Sequence, residues 1–187
     1  MRVHQGASRA KRLDSMTVRV FETEVTYERT VGVDEEFITD EYPHISKSRK
    51  NKRDREAEKE GEPELIKELM DKFESPLLWM RVDPELLWIR KINFKQSDFM
   101  WVYQLYKDKN VAAQVEAING LGSIITSSTA QAPASDFHRY LVVRCLSETL
   151  DDSHNYHEVR SYAAATLGRC VKENLDPQHQ LLSLLIL

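Results

Sequence analysis

An α+β fold, with strands first and helical repeats after them, is the class this sequence predicts, and two changes along the chain predict it. Apolar and polar residues alternate early in the chain and again near residues 77–94, the period of a half-buried strand. Beyond Lys95 the apolar spacing lengthens to about 3.6, the period of an amphipathic helix.

The strand pattern is clearest in Met16-Thr17-Val18-Arg19-Val20, recurs in Val25-Thr26-Tyr27-Glu28, and returns more weakly in Phe37-Ile38-Thr39. From Ser46 the composition shifts to a basic block, SKSRKNKRDR, followed by the mostly acidic EAEKEGEPELIKELMDKFE. Charge this dense buries too little apolar surface to offset ordering entropy, so residues 46–64 are expected to be a disordered or solvated insertion. Leu65, Leu69 and Phe73 fall four apart, which predicts a short helix behind it. Leu77 to Val82 and Leu87 to Phe94 lean toward strand and flank Asp83-Pro84. Proline fixes a turn-compatible φ there, so strand, turn, strand is the expectation.

Helical spacing follows. Ser97 or Asp98 can cap a helix whose Phe99, Val102, Tyr103 and Tyr106 share a face. Asn110 can cap the next, with Val111, Val115, Ile118, Leu121 and Ile125 as its stripe. A loop over 126–134 leads to a third helix starting at Ser135, carrying Leu141, Val142, Cys145, Leu146 and Leu150. A fourth starts near Ser153 with Val159, Ala163, Leu167, Cys170 and Val171 aligned, and LLSLLIL after Pro177 reads as a fifth. Offsetting the chain by about 46 residues lays Ala117 on Ala163, Leu121 on Leu167 and Gly122 on Gly168. HEAT and armadillo units repeat at roughly 40–47 residues and bury their faces only on neighbours.

The net charge is −4, with 41% hydrophobic and 30% charged residues. No apolar run approaches the roughly 20 residues of a membrane span, and the basic N-terminus has no apolar stretch behind it, which excludes a secretory signal. Cys145 and Cys170 lie inside helical patterns and read as buried free thiols of a reducing compartment.

Candidate chemistry is sparse. Catalytic zinc of the H-E-x-x-H type needs two imidazoles one helical turn apart. The nearest string, His157-Glu158-Val159-Arg160-Ser161, has serine in the second ligand position, so an exposed helix face is the better account. Trp79, Trp88 and Trp101 read as core aromatics, and Gly120 and Gly122 have no following lysine to make a phosphate loop. The basic residues Lys47, Arg49, Lys50, Lys52, Arg53 and Arg55 admit three readings: a solvated linker, a nuclear-import address, or contact with DNA phosphates.

Four motifs then narrow the reading: S-P-L-L-W (75–79), R-V-D-P (81–84), W-I-R-K-I (88–92) and D-F-M-W (98–101). Tyr103-Gln104-Leu105 and N-V-A-A-Q (110–114) complete the run. Together they resemble the family of the second TBP-associated factor, the large aminopeptidase-like subunit of the general transcription factor TFIID. The resemblance covers residues 16–125 well and the remainder in helix character. It implies a fragment spanning the end of a β-sandwich and the first HEAT-like repeats of a longer protein. Residues 1–45 would be sandwich strands, 46–74 a charged flexible insertion, 75–96 a β-hairpin completing the sandwich, and 97–187 truncated helical repeats. Implied with it are a non-enzymatic scaffold role in core-promoter recognition and preinitiation-complex assembly, and a nuclear location. The implied partners are other TFIID subunits, TBP and core-promoter DNA; no cofactor, membrane or small-molecule substrate is implied. A zinc aminopeptidase fragment and a generic HEAT adaptor are the alternatives. Strands without sandwich partners and repeats without a cap are expected to leave the isolated chain marginally stable.

Overall fold

The computed structural model describes residues 15–23, 25–32, 60–72, 77–89, 92–126 and 136–173. Strand β1 (Ser15–Glu22) is the centre of an antiparallel sheet ordered β2-β1-β3, with β2 at Thr26–Gly32 and β3 at Leu77–Val82. Its register places Phe21 across from Trp79 and Arg19 across from Arg81, so these four side chains share one face. Phe21 and Trp79 stack with centroids 4.3 Å apart and planes 14° apart, an arrangement worth about 0.5–1.5 kcal/mol beyond simple burial. The first two strands and Leu77–Val82 lie where the alternation puts them. Phe37-Ile38-Thr39 falls outside the described residues.

The acidic segment is not uniformly a solvated insertion. Helix α1 (Glu64–Lys72) forms where Leu65, Ile66 and Leu69 coincide on one side, and all three are buried. Three large aliphatic side chains removed from water contribute roughly 1.5–3 kcal/mol each, which outweighs the charge density of a single short turn. Salt bridges flank and cross it: Glu62, two residues before the helix, meets Lys107, and Glu68 in its middle accepts from Arg144 at 2.9 Å.

Four further helices follow: α2 (Asp98–Lys107), α3 (Val111–Thr126), α4 (Asp136–Asp151) and α5 (His157–Glu173). The Ser97 site begins α2, but the cap works through Asp98, whose Oδ1 accepts the Phe99 N–H at 2.9 Å. Asn110 caps α3 as expected, its Oδ1 accepting the Ala113 N–H at 3.2 Å. Helix α5 starts four residues later than Ser153. The Asp152 carboxylate captures the His154 N–H at 2.9 Å and Asn155 Nδ2 donates to the Thr149 carbonyl, so 152–156 closes as a turn first. The loop at 127–134, Ser135 and the LLSLLIL segment lie outside the described residues.

Adjacent helices pair, α2 with α3 and α4 with α5, and α3 and α5 pack on each other between the pairs. Ala117 and Ala163, equivalent in the 46-residue offset, are both fully buried. The contacts are close at two glycines of α3. A Cβ on Gly120 would lie 2.3 Å from the Trp101 ring of α2, and one on Gly122 would lie 2.6 Å from Thr166 of α5. A single core runs from α1 and Trp79 through α2, α3 and α4 to Cys170, so sheet and helices share one apolar interior.

The glycines therefore separate by position. Gly120→Ala is expected to destabilise the chain by about 1–3 kcal/mol through overpacking on the indole. Gly168, the offset partner of Gly122, faces open space. Gly168→Ala is expected to stabilise by about 0.5–1 kcal/mol through backbone entropy alone. Urea denaturation of the two variants measures both, and equal signs would contradict the packing described.

Candidate functional site

The site that organises this molecule is the seam where β3 meets α2 and α3. Alternation along β3 puts Leu78, Met80 and Val82 on one face and Trp79 and Arg81 on the other, beneath the helices. Trp79 enters the common core. Arg81, one pleat on, carries a charge into the same interior and is only 4% exposed. A guanidinium there must be paired, because an isolated buried charge costs several kcal/mol.

Two helices supply its partners. Nε of Arg81 lies 3.4 Å from Glu116 Oε2 on α3, and Nη1 lies 3.8 Å from Asp108 Oδ2 at the end of α2. Gln104, fully buried within α2, completes the arrangement. Its Nε2 donates to Glu116 Oε2 at 3.1 Å and to the Ala113 carbonyl at 3.0 Å, while its Oε1 accepts from Gln96 Nε2 at 2.8 Å. The chain of bonds returns to the sheet, since Gln96 Oε1 accepts the Met80 N–H at 3.2 Å. One strand, one linker and two helices are thus joined by a single polar network. Arg19, opposite Arg81 in the sheet, is held apart from it electrostatically by its own acids, Glu28 at 2.6 Å and Glu85 at 2.7 Å, which also raise its pKa.

Among the described residues beyond Val82, the expected second strand of the hairpin is absent. The turn at Asp83-Pro84 is present, closed by the Leu86 N–H donating to the Asp83 carbonyl at 2.9 Å. Asp83 and Leu86 both have positive φ, 52° and 53°, and for leucine that left-handed backbone costs roughly 1–2 kcal/mol. The buried Asp83 carboxylate then accepts the N–H groups of Leu87 and Trp88, at 3.0 and 2.9 Å. Those groups are consumed by the turn, and Gln96 occupies part of the free edge of β3. The described residues after the turn, up to Ile89 and from Ile92 to Phe94, accordingly run as irregular chain.

The other candidates read from the sequence separate clearly. Lys47, Arg49, Lys50, Lys52, Arg53 and Arg55 lie outside the described residues. His157-to-Ser161 opens α5, and the Ser161 hydroxyl donates to the His157 carbonyl at 2.9 Å. Cys145 is fully buried beside Tyr106, and burial pushes its thiol pKa far up, away from reactivity. Tyr106 donates to Glu148 at 2.6 Å, and burial raises its phenol pKa as well. Among the described residues no three His, Cys, Asp or Glu side chains gather as a metal site, and no helix is long and apolar enough to cross a membrane.

Reading one helical face missed Gln104, Glu116, Asp108 and Gln96. A signal was there: Met100-Trp101-Val102-Tyr103 and Leu105-Tyr106 surround Gln104, and a lone glutamine in an all-round apolar helix has to be hydrogen-bonded.

A small antiparallel sheet and paired helices that share one core define a mixed α+β chain. Residues 1–97 match the TAF2 Ig-like domain, a match that ends on the residue preceding α2. The chain is 32% identical over 160 residues to transcription initiation factor TFIID subunit 2 of Danio rerio, covering 85% of this chain and 12% of that protein. The Gallus gallus protein of that name gives 32% over 160 residues with the same coverage. The Drosophila melanogaster one gives 29% over 158 residues, 84% of this chain and 12% of that protein. This chain belongs to the TAF2 family. It spans about 12% of the length of these relatives.

The network has a pH signature. Burial raises the Glu116 carboxyl above its ordinary 4.5, against the opposing pull of Arg81 and Gln104. A carboxyl that holds its proton more tightly when folded favours folding fully below its unfolded pKa, and that contribution is lost as pH rises through the folded value. Glu116→Gln removes this dependence. The stability of the variant relative to the parent chain is expected to rise as pH climbs from about 4.5 toward neutrality, read by urea denaturation across pH. A difference that falls over that range would contradict the assignment.

Proposed function

We propose that this segment is a non-enzymatic junction within a subunit of TFIID, joining an Ig-like domain to a helical array so that both move as one arm. The observation that carries the reading is the Arg81–Glu116–Gln104–Gln96 network, which spends buried polar groups on fixing one domain against the next. The relatives are named as transcription initiation factors, and that supports a binding and positioning role in preinitiation-complex assembly over peptide hydrolysis. An aminopeptidase-like frame elsewhere in the full-length protein, a nuclear location, and contacts with TBP and other TFIID subunits belong to the same proposal. So does the HEAT-like character of the helices, which their pairing and their 46-residue offset support.

Contact of the basic block with promoter DNA is part of this proposal and rests on its charge. Deleting residues 46–59, which leaves Glu62 and α1 in place, is expected to flatten the salt dependence of promoter binding by the full-length protein. An unchanged slope would remove DNA from the list of partners.

The scaffold reading is tested by affinity purification of the tagged full-length protein from nuclear extract. Other TBP-associated factors are expected to co-purify with it, and Arg81→Glu, which places a third acid beside Glu116 and Asp108, is expected to reduce their recovery. A full-length protein isolated without TBP-associated factors would overturn the reading.

A further inference from the structure

Helix α5 turns a nearly uncharged face outward. Val159, Ala163, Thr166 and Cys170 are buried on its inner side, and the opposite side of such a helix is ordinarily polar and charged. Its middle instead carries Ser161, Ala164, Ala165 and Gly168, all exposed, at the i, i+3, i+4 and i+7 spacing of one stripe. The arginines beside the stripe turn back toward earlier chain. Arg160 Nε donates to the Leu150 carbonyl at 2.8 Å, and Arg169 Nη2 donates to Thr166 Oγ1 at 2.8 Å and to Asn119 Oδ1 at 3.5 Å. Glu158 bounds the stripe one turn before Ser161, and Tyr162 flanks it. The 46-residue offset lays this stripe on Val115, Ile118, Asn119 and Gly122 of α3. There Ile118 and Gly122 are buried, and chain that comes later in the sequence does the covering: α4 and α5 both pack on α3, with Thr166 close over Gly122.

We propose that residues 181–187 (LLSLLIL) fold back antiparallel along α5 and seat on Ala164 and Ala165. The proposal extends the HEAT-like reading of the helices and is independent of the TFIID reading. Three features select this occupant. It is the first apolar run after α5, and six of its seven residues are Leu or Ile, more than one face of a helix holds, so it needs cover on more than one side. At the same offset it falls on 135–141, where α4 begins its packing on α3. The connection, residues 174–180, contains Pro177, which stops a helix running straight on, and at ~3.3 Å per residue it reaches roughly 23 Å, enough to reverse direction. Neither surface brings a charge to the contact, and small side chains let helix axes approach to about 8 Å. A tether this short holds the segment at an effective concentration on the order of mM, ahead of a second copy in dilute solution.

The test is disulfide trapping in the full-length protein. Ala165→Cys is paired in turn with a cysteine at Leu181, Leu182, Leu184, Leu185, Ile186 or Leu187, with Ser123→Cys, exposed on α3, replacing Ala165→Cys as the control. After mild oxidation at high dilution, mass spectrometry of unreduced peptides assigns the bonds, which form only where Cβ atoms come within about 4.5 Å. Intramolecular disulfides from Ala165→Cys are expected at a subset of the six positions, spaced three or four apart, and absent with Ser123→Cys. Adding Ala164→Arg is expected to abolish them while far-UV circular dichroism stays unchanged, so that loss of docking is separated from loss of the helices. No disulfide, equal yields at all six positions, equal trapping by Ser123→Cys, bonds between two copies, or bonds that survive Ala164→Arg would each overturn the proposal. The readout is made on purified protein, so it stands or falls separately from recovery of TFIID components.

Discussion

One buried guanidinium sets the terms for the rest of this structure. Arg81 sits at the end of an edge strand and faces inward, where a charge is tolerated only with partners already in place. Those partners come from different elements: Glu116 from α3, Asp108 from the end of α2, and Gln104, which tethers Glu116 from within α2. Apolar burial is non-directional, whereas this network loses hydrogen bonds if its elements shift. Apolar burial around Trp79, Trp101 and Leu121 supplies the larger stabilisation, and the polar network selects a single orientation from those that burial alone would allow.

The same constraint explains the chain path around the seam. A hairpin partner for β3 would have to run along its free edge, where Gln96 already accepts the Met80 N–H and bridges to Gln104. Asp83 diverts the chain before such a strand can begin. The described residues of the linker to α2 are therefore irregular, yet tied down by the Asp83 turn and by Gln96. Helix α1 adds a third tie: its aliphatic side is buried in the common core, its Glu68 pairs with Arg144 of α4, and Glu62 just before it pairs with Lys107 of α2.

Much of this is legible in the residues. Alternation locates β1, β2 and β3, and 3.6-residue spacing together with Asn110 locates the helices, because in those segments local preference and tertiary packing agree. The second half of 75–94 is not legible in this way. Leu87 to Phe94 has strand-like composition, while the decisive groups are the Asp83 carboxylate and the Gln96 amide, whose reach no periodicity reports. The expected helical start near Ser153 fails for the same reason at Asp152. Helix α1 shows in the spacing as a helix, but flanking charge obscures its place in the core. The family motifs R-V-D-P, Tyr103-Gln104-Leu105 and N-V-A-A-Q contain Arg81, Asp83, Gln104 and Ala113, all of them at the seam. A signature of resemblance is here, physically, the set of residues that join the two halves.

Native-state hydrogen exchange tests that joint most directly. If the polar network makes sheet and helices one cooperative unit, the slowest amides of β1, such as Val20, and those of α3, such as Ile118, are expected to open with the same free energy and the same denaturant dependence. Sheet amides that open at markedly lower free energy while α3 stays protected would contradict the account, because the two halves would then be neighbours in space without being coupled.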